Sequence, residues 1–185
     1  MSPSTGTTSP GPPPTLPVKV VFALVSVGLY WLVVALAERY DWSGTVFGFQ
    51  WPFHLIGLSF GALVMAPYAA RTPQHIVRMI ALAVASAAIY QLAVRFVVDG
   101  PLGHSTITPY VIAGAGSALL TGIAVALIVP RRFTWQLAVF TLVAGAIGGA
   151  AFDWQLPLAW APNDLHAYLA WQLLVCLALD RGLRA

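Results

Sequence analysis

His54, Gln91, Arg95, Asp153 and His166 are the polar side chains of this sequence best placed to do chemistry, because each stands in or at the end of a long apolar stretch. Their spacing is helical. Ala83, Ala87, Gln91, Arg95 and Asp99 fall four apart and so share one face. Arg95 and Asp99 are spaced to pair on it. Thr141, Gly145, Gly149 and Asp153 make a second such face, His54, Gly57 and Gly61 a third, and Gly114, Ser117 and Thr121 a fourth. Small residues in these stripes let helices approach closely. An ionisable group inside an apolar span is costly unless it faces a bundle interior or a wet cavity. The five residues are therefore expected to line a polar pocket at one end of the bundle that binds or passes a small solute. Arg95 would supply the charge contact, and Gln91, Asp153, His54 and His166 the polar partners. Trp42, Trp51, Trp154, Trp160 and Trp171 are expected as its walls.

The elements that must carry these residues are membrane spans. Six apolar stretches, at about 18–37, 47–70, 76–98, 107–129, 133–152 and 165–180, approach the roughly 20 residues that a hydrocarbon core requires. Hydrophobic residues make up 59% of the 185 and charged residues 8%, too few charges to cover a water-soluble fold. Of the nine Lys and Arg, Lys19, Arg71, Arg78, Arg131, Arg132, Arg181 and Arg184 fall on one side of a six-span arrangement, and Arg39 and Arg95 on the other. Glu38, Asp41, Asp99, Asp153 and Asp164 join the second side. The bias in Lys and Arg places the first side in the cytoplasm. The reading is an all-α polytopic integral membrane protein, a six-helix bundle at 18–182 with both termini cytoplasmic. Residues 1–17, rich in Pro, Ser and Thr, are expected to form a disordered cytoplasmic tail. Lys19 alone makes too weak a basic leader for a cleaved signal, so the first stretch is expected to remain as a span. An inner membrane of bacterial type is the expected location.

Several chemistries are thereby excluded. The net charge of +3 is scattered over loops, so no nucleic-acid patch exists. A single cysteine, Cys176, rules out a disulfide within the chain. His54, His75, His104 and His166 lie one per segment without ligand spacing, so no metal site and no resident cofactor is expected. His54 and His166 are the pair that could ligate a haem from two sides. An enzyme is the less favoured reading. The lipid bilayer, a small solute and other membrane subunits are the expected partners.

Two families resemble this layout. Ser117 within GAGSALLTG, His166 in the sixth stretch and His54 in the second follow the order and sidedness of the rhomboid intramembrane proteases. That resemblance implies Ser117 as nucleophile, His166 as base and His54 near the oxyanion. The chain departs from the family motif: Ala115 and Ala118 flank Gly116 and Ser117, and Leu58 stands where an asparagine belongs. In size, span number and orientation the chain also resembles the substrate-capturing subunits of energy-coupling-factor vitamin transporters. That likeness implies capture of a small metabolite near the outer face, although Val27 replaces the second alanine of the docking seam that would follow Ala23. A structural or assembly subunit, using the glycine stripes as docking faces, is the third alternative.

Overall fold

Long apolar runs leave the backbone to satisfy its own hydrogen bonds, and a helix does so within one segment. The computed structural model describes residues 15–40, 45–46, 49–50, 52–69, 72, 74–102, 106–129, 131–153 and 165–184, and among them the chain is all-helical apart from one short bridge. The helices are α1 (Leu16–Arg39), α2 (Pro52–Phe60), α3 (His75–Val98), α4 (Ile107–Ile128), α5 (Trp135–Ala150) and α6 (Leu165–Gly182). Between α1 and α2, β1 (Thr45–Val46) pairs antiparallel with β2 (Phe49–Gln50). Consecutive helices are neighbours, and α1 packs back on α6, closing a ring.

Local chemistry sets the helix ends. Pro17 sits in the first turn of α1, where a missing N–H costs nothing. The Thr134 hydroxyl caps α5 by accepting from the Leu137 amide at 3.2 Å. α2 cannot run on as a regular helix, because Pro67 has no N–H to give. It passes into a π-helical turn at Gly61–Met65, with the Ala66 amide reaching the Gly61 carbonyl, and then a short 3-10 turn at Ala66–Tyr68.

The expectation of six helices holds in number, but not all six have spanning length. Among the described residues, Leu16–Arg39, His75–Val98 and Ile107–Ile128 are long and apolar enough to cross a membrane, with mean hydropathies of 2.5, 1.8 and 2.2. The stretches His54–Tyr68 and Trp135–Ala150 are apolar but shorter. Large apolar side chains of α1, α3, α4 and α5, among them Leu24, Ile80, Leu127 and Val143, point outward and are exposed.

The small-residue stripes are where the helices meet. A Cβ on Gly61 would stand 2.6 Å from the Ala83 Cα, and one on Gly57 2.9 Å from the Ala87 Cα, so α2 and α3 touch backbone to backbone. Gly145 of α5 faces Gly114 and Ala118 of α4 in the same way. Gly148 of α5 admits the backbone of α6, since a Cβ there would lie 2.6 Å from the Trp171 Cα. The packed core, with Val64, Met65, Leu82, Val125, Leu137, Val175 and Leu179 at its centre, fills the half of the bundle toward the start of α1 and the end of α6.

Candidate functional site

The other half of the bundle is not filled. α2, α3, α4 and α6, with the turn after α5, enclose a cavity of about 410 Å³. Each helix gives one face to it. α3 contributes Ser86, Tyr90, Ala93 and Val97, and α4 contributes Tyr110, Gly114, Ser117 and Thr121, both at helical intervals of three and four. α6 contributes Tyr168, Trp171 and Gln172, and α2 contributes Ile56, Gly57 and Phe60.

Aromatic rings hold one another in place around this space. Tyr168 is the hub: Tyr30 and Phe152 meet it edge-on at centroid distances of 5.4 and 5.0 Å, and Tyr90 lies tilted at 6.1 Å. Phe152 stacks in turn on Tyr110 at 5.7 Å, and Phe60 lies 5.3 Å from Trp171. Such contacts add about 0.5–1.5 kcal/mol each beyond area burial. The Tyr90 and Tyr168 hydroxyls share a hydrogen bond of 2.8 Å.

The polar groups of the wall are mostly spent internally. The Gly114 carbonyl accepts two hydrogen bonds, from the Trp171 indole N–H at 3.2 Å and from the Ser117 hydroxyl at 3.1 Å. Thr121 donates to the Ser117 carbonyl at 2.8 Å. Gln172 is different. It is 1% exposed, and its Oε1 is buried with no hydrogen-bond partner.

The residues singled out from the sequence sit at this end, yet the described ones do not border the cavity. Gln91 and His54 are brought together, Nε2 to Nδ1 at 2.8 Å. This bond is the next rung of the seam formed by Gly61 with Ala83 and Gly57 with Ala87, so both side chains face each other across α2 and α3. The cavity takes the adjacent face of α3. Arg95 is exposed; the Asp99 amide bonds to its carbonyl at 2.8 Å, and no ion pair joins the two side chains. His166 bonds through Nε2 to the Ala151 carbonyl at 3.2 Å. The side chain of Asp153 lies outside the described residues, as do Trp42, Trp51, Trp154 and Trp160. Of the expected tryptophans, Trp171 does wall the cavity. Ser117 lines it, whereas His54 and His166 do not, and the Ser117 proton is directed to its own helix. No three His, Cys, Asp or Glu converge among the described residues.

What the sequence reading passed over is the Tyr and Phe content of the wall and the face Tyr168, Trp171, Gln172. The signal was present: an amide and two rings at intervals of three and four in the sixth stretch.

A second polar cluster lies at the opposite end. Lys19, read from the sequence as an orienting charge at the membrane surface, is 0% exposed and ion-paired with Asp180, itself 5% exposed. The correction has a simple cause: α1 already begins at Leu16, which puts Lys19 in its first turn and on the face toward α6. Its ammonium also lies 4.4 Å over the Tyr68 ring, and Arg184 reaches Asp180 at 3.1 Å from one turn on. The chain matches no protein-family model, no curated protein and no solved structure, so its geometry and its sequence alone carry the functional argument.

Proposed function

We propose that this protein crosses a cell inner membrane six times, with both termini in the cytoplasm, and binds or transports a small solute in the cavity between α2, α3, α4 and α6. The observation that carries the reading is the cavity itself. Its 410 Å³ falls within the roughly 300–1,000 Å³ of small-molecule sites, and its mostly apolar wall with few polar groups is the usual composition. The exposed apolar flanks of α1, α3, α4 and α5 support burial in lipid. The asymmetry of Lys and Arg supports the orientation, and it survives the loss of Lys19 from the count. In this orientation the cavity opens toward the non-cytoplasmic side. Arg95, Gln91, His54, His166 and Asp153 then attend a solute's approach at that end.

Native mass spectrometry of the protein released gently from its own membrane tests the proposal. Wild type should carry a small molecule, and Ala93→Trp, which fills the cavity, should not. A bare wild-type chain, or a ligand equally retained by Ala93→Trp, would remove the cavity from the account.

A further inference from the structure

The lining of the cavity selects a chemical class. Six rings, from Phe60, Tyr90, Tyr110, Phe152, Tyr168 and Trp171, form its wall. No Asp, Glu, Lys, Arg or His is among its described lining residues. An ion buried in such a space would lose its hydration without gaining a countercharge, so a charged ligand is disfavoured. Against this wall stands one group with unused hydrogen-bonding capacity. The Ser117, Thr121 and Trp171 donors are committed to main-chain carbonyls, while the buried Gln172 Oε1 has no partner. A buried amide oxygen left unpaired is costly, and a ligand that supplies the missing donor recovers that cost on binding.

Resting on the reading that the cavity holds a solute, we propose that the ligand is an uncharged, ring-bearing compound with one hydroxyl or amide group, and that Gln172 is the residue that recognises this group. The rings hold the apolar body by stacking and edge contacts. Gln172, on the same helical face as Tyr168 and Trp171, fixes which end of the ligand points toward α6. The carbonyl and amine of Gln172 are interchangeable by rotation, so a ligand hydroxyl can serve as donor or acceptor.

Three naphthyl probes separate the possibilities: 1-naphthol, 1-methylnaphthalene and 1-naphthoate, each bound to the full chain in lipid nanodiscs with empty nanodiscs subtracted. Wild type should bind 1-naphthol about tenfold more tightly than 1-methylnaphthalene, the scale of one hydrogen bond to a buried unsatisfied group. It should not bind 1-naphthoate measurably. Gln172→Met, nearly the same shape without the amide, should abolish that preference while still binding 1-methylnaphthalene. The ratio between two probes in one preparation is insensitive to partial loss of folded protein. Tightest binding of 1-naphthoate, or no preference for 1-naphthol in wild type, would overturn the ligand class. A preference undiminished in Gln172→Met would overturn the role of Gln172. Should none of the probes bind while Ala93→Trp still expels a native ligand, the class is wrong and the cavity reading stands. Should wild type carry no ligand either, both fall.

Discussion

At the end where α1 begins and α6 finishes, polar side chains are buried in partnership: Lys19 with Asp180, Asp180 with Arg184, Lys19 over Tyr68. At the end where α2, α4 and α6 begin, the bundle leaves a space walled by rings, and the Gln172 amide faces it with its oxygen unpaired. The closed end surrounds its charges with a packed core, and the open end keeps charge out of its cavity. The difference teaches that in this chain full charges serve architecture, tying the first helix to the last, while the uncharged wall is the part suited to a ligand. A buried ion pair is retained where both partners are permanent, whereas a site that fills and empties cannot leave an ion unpaired half of the time.

Mutations can test this contrast from both ends. The largest effect should come from Asp180→Ala, which leaves the Lys19 ammonium buried and unpaired; a loss of about 3–5 kcal/mol is expected in detergent unfolding. Lys19→Met should cost less, because Arg184 still partners Asp180, and adding Lys19→Met to Asp180→Ala should recover most of the loss. Equal costs for the two single variants would show that the pair does not act as described. Next in size, Gly145→Leu should destabilise by about 1–3 kcal/mol or more, since the side chain would enter the space held by Gly114 and Ala118. The same test made inside the cavity should behave differently. Ala113→Phe should change the unfolding midpoint little, while Ala118→Phe, one helical turn on and fully buried, should lower it by several degrees. If both are equally harmful, the cavity is not open space. In ligand-free protein Gln172→Met should raise stability by about 1 kcal/mol, because it removes an unsatisfied buried oxygen. The smallest effect is expected at Gln74, which enters α3 with φ of 58°. Replacement by Gly should gain about 1 kcal/mol or less, measured by the same unfolding assay.

Much of the fold was legible because apolar run length and helical spacing are local properties. The six helices lie close to their expected positions, and the stripes built on Gly57, Gly61, Ala83 and Ala87, or on Gly114, Gly145 and Gly149, meet as helix seams. The site was legible only in its location. Periodicity shows which residues share a face but not what that face meets. Gln91 was read as pointing into a pocket because it crowns a stripe, yet the stripe is the α2–α3 contact, and its crown bonds to His54 there. The true lining of α3 is one position around, at Ser86, Tyr90, Ala93 and Val97, where apolar character hides it among ordinary span residues. The Lys19–Asp180 pair was missed for a different reason. Its partners are 161 residues apart, and each sits near a span end, where a lone charge reads as a surface anchor.

The π-helical turn in α2 gives the length of that helix a meaning of its own. Each residue advances an α-helix by about 100°, so the extra residue held in the wide turn rotates everything beyond it by that amount relative to a regular helix. Phe60, just before the turn, faces the cavity, and Tyr68, beyond it, lies beneath Lys19. Removing any one residue from 61–65 would let the helix run on as a regular spiral and swing the Tyr68 ring off the ammonium. Insertions and deletions in this segment therefore act as changes of phase, and an alignment that closes a one-residue gap here would match residues belonging to different faces.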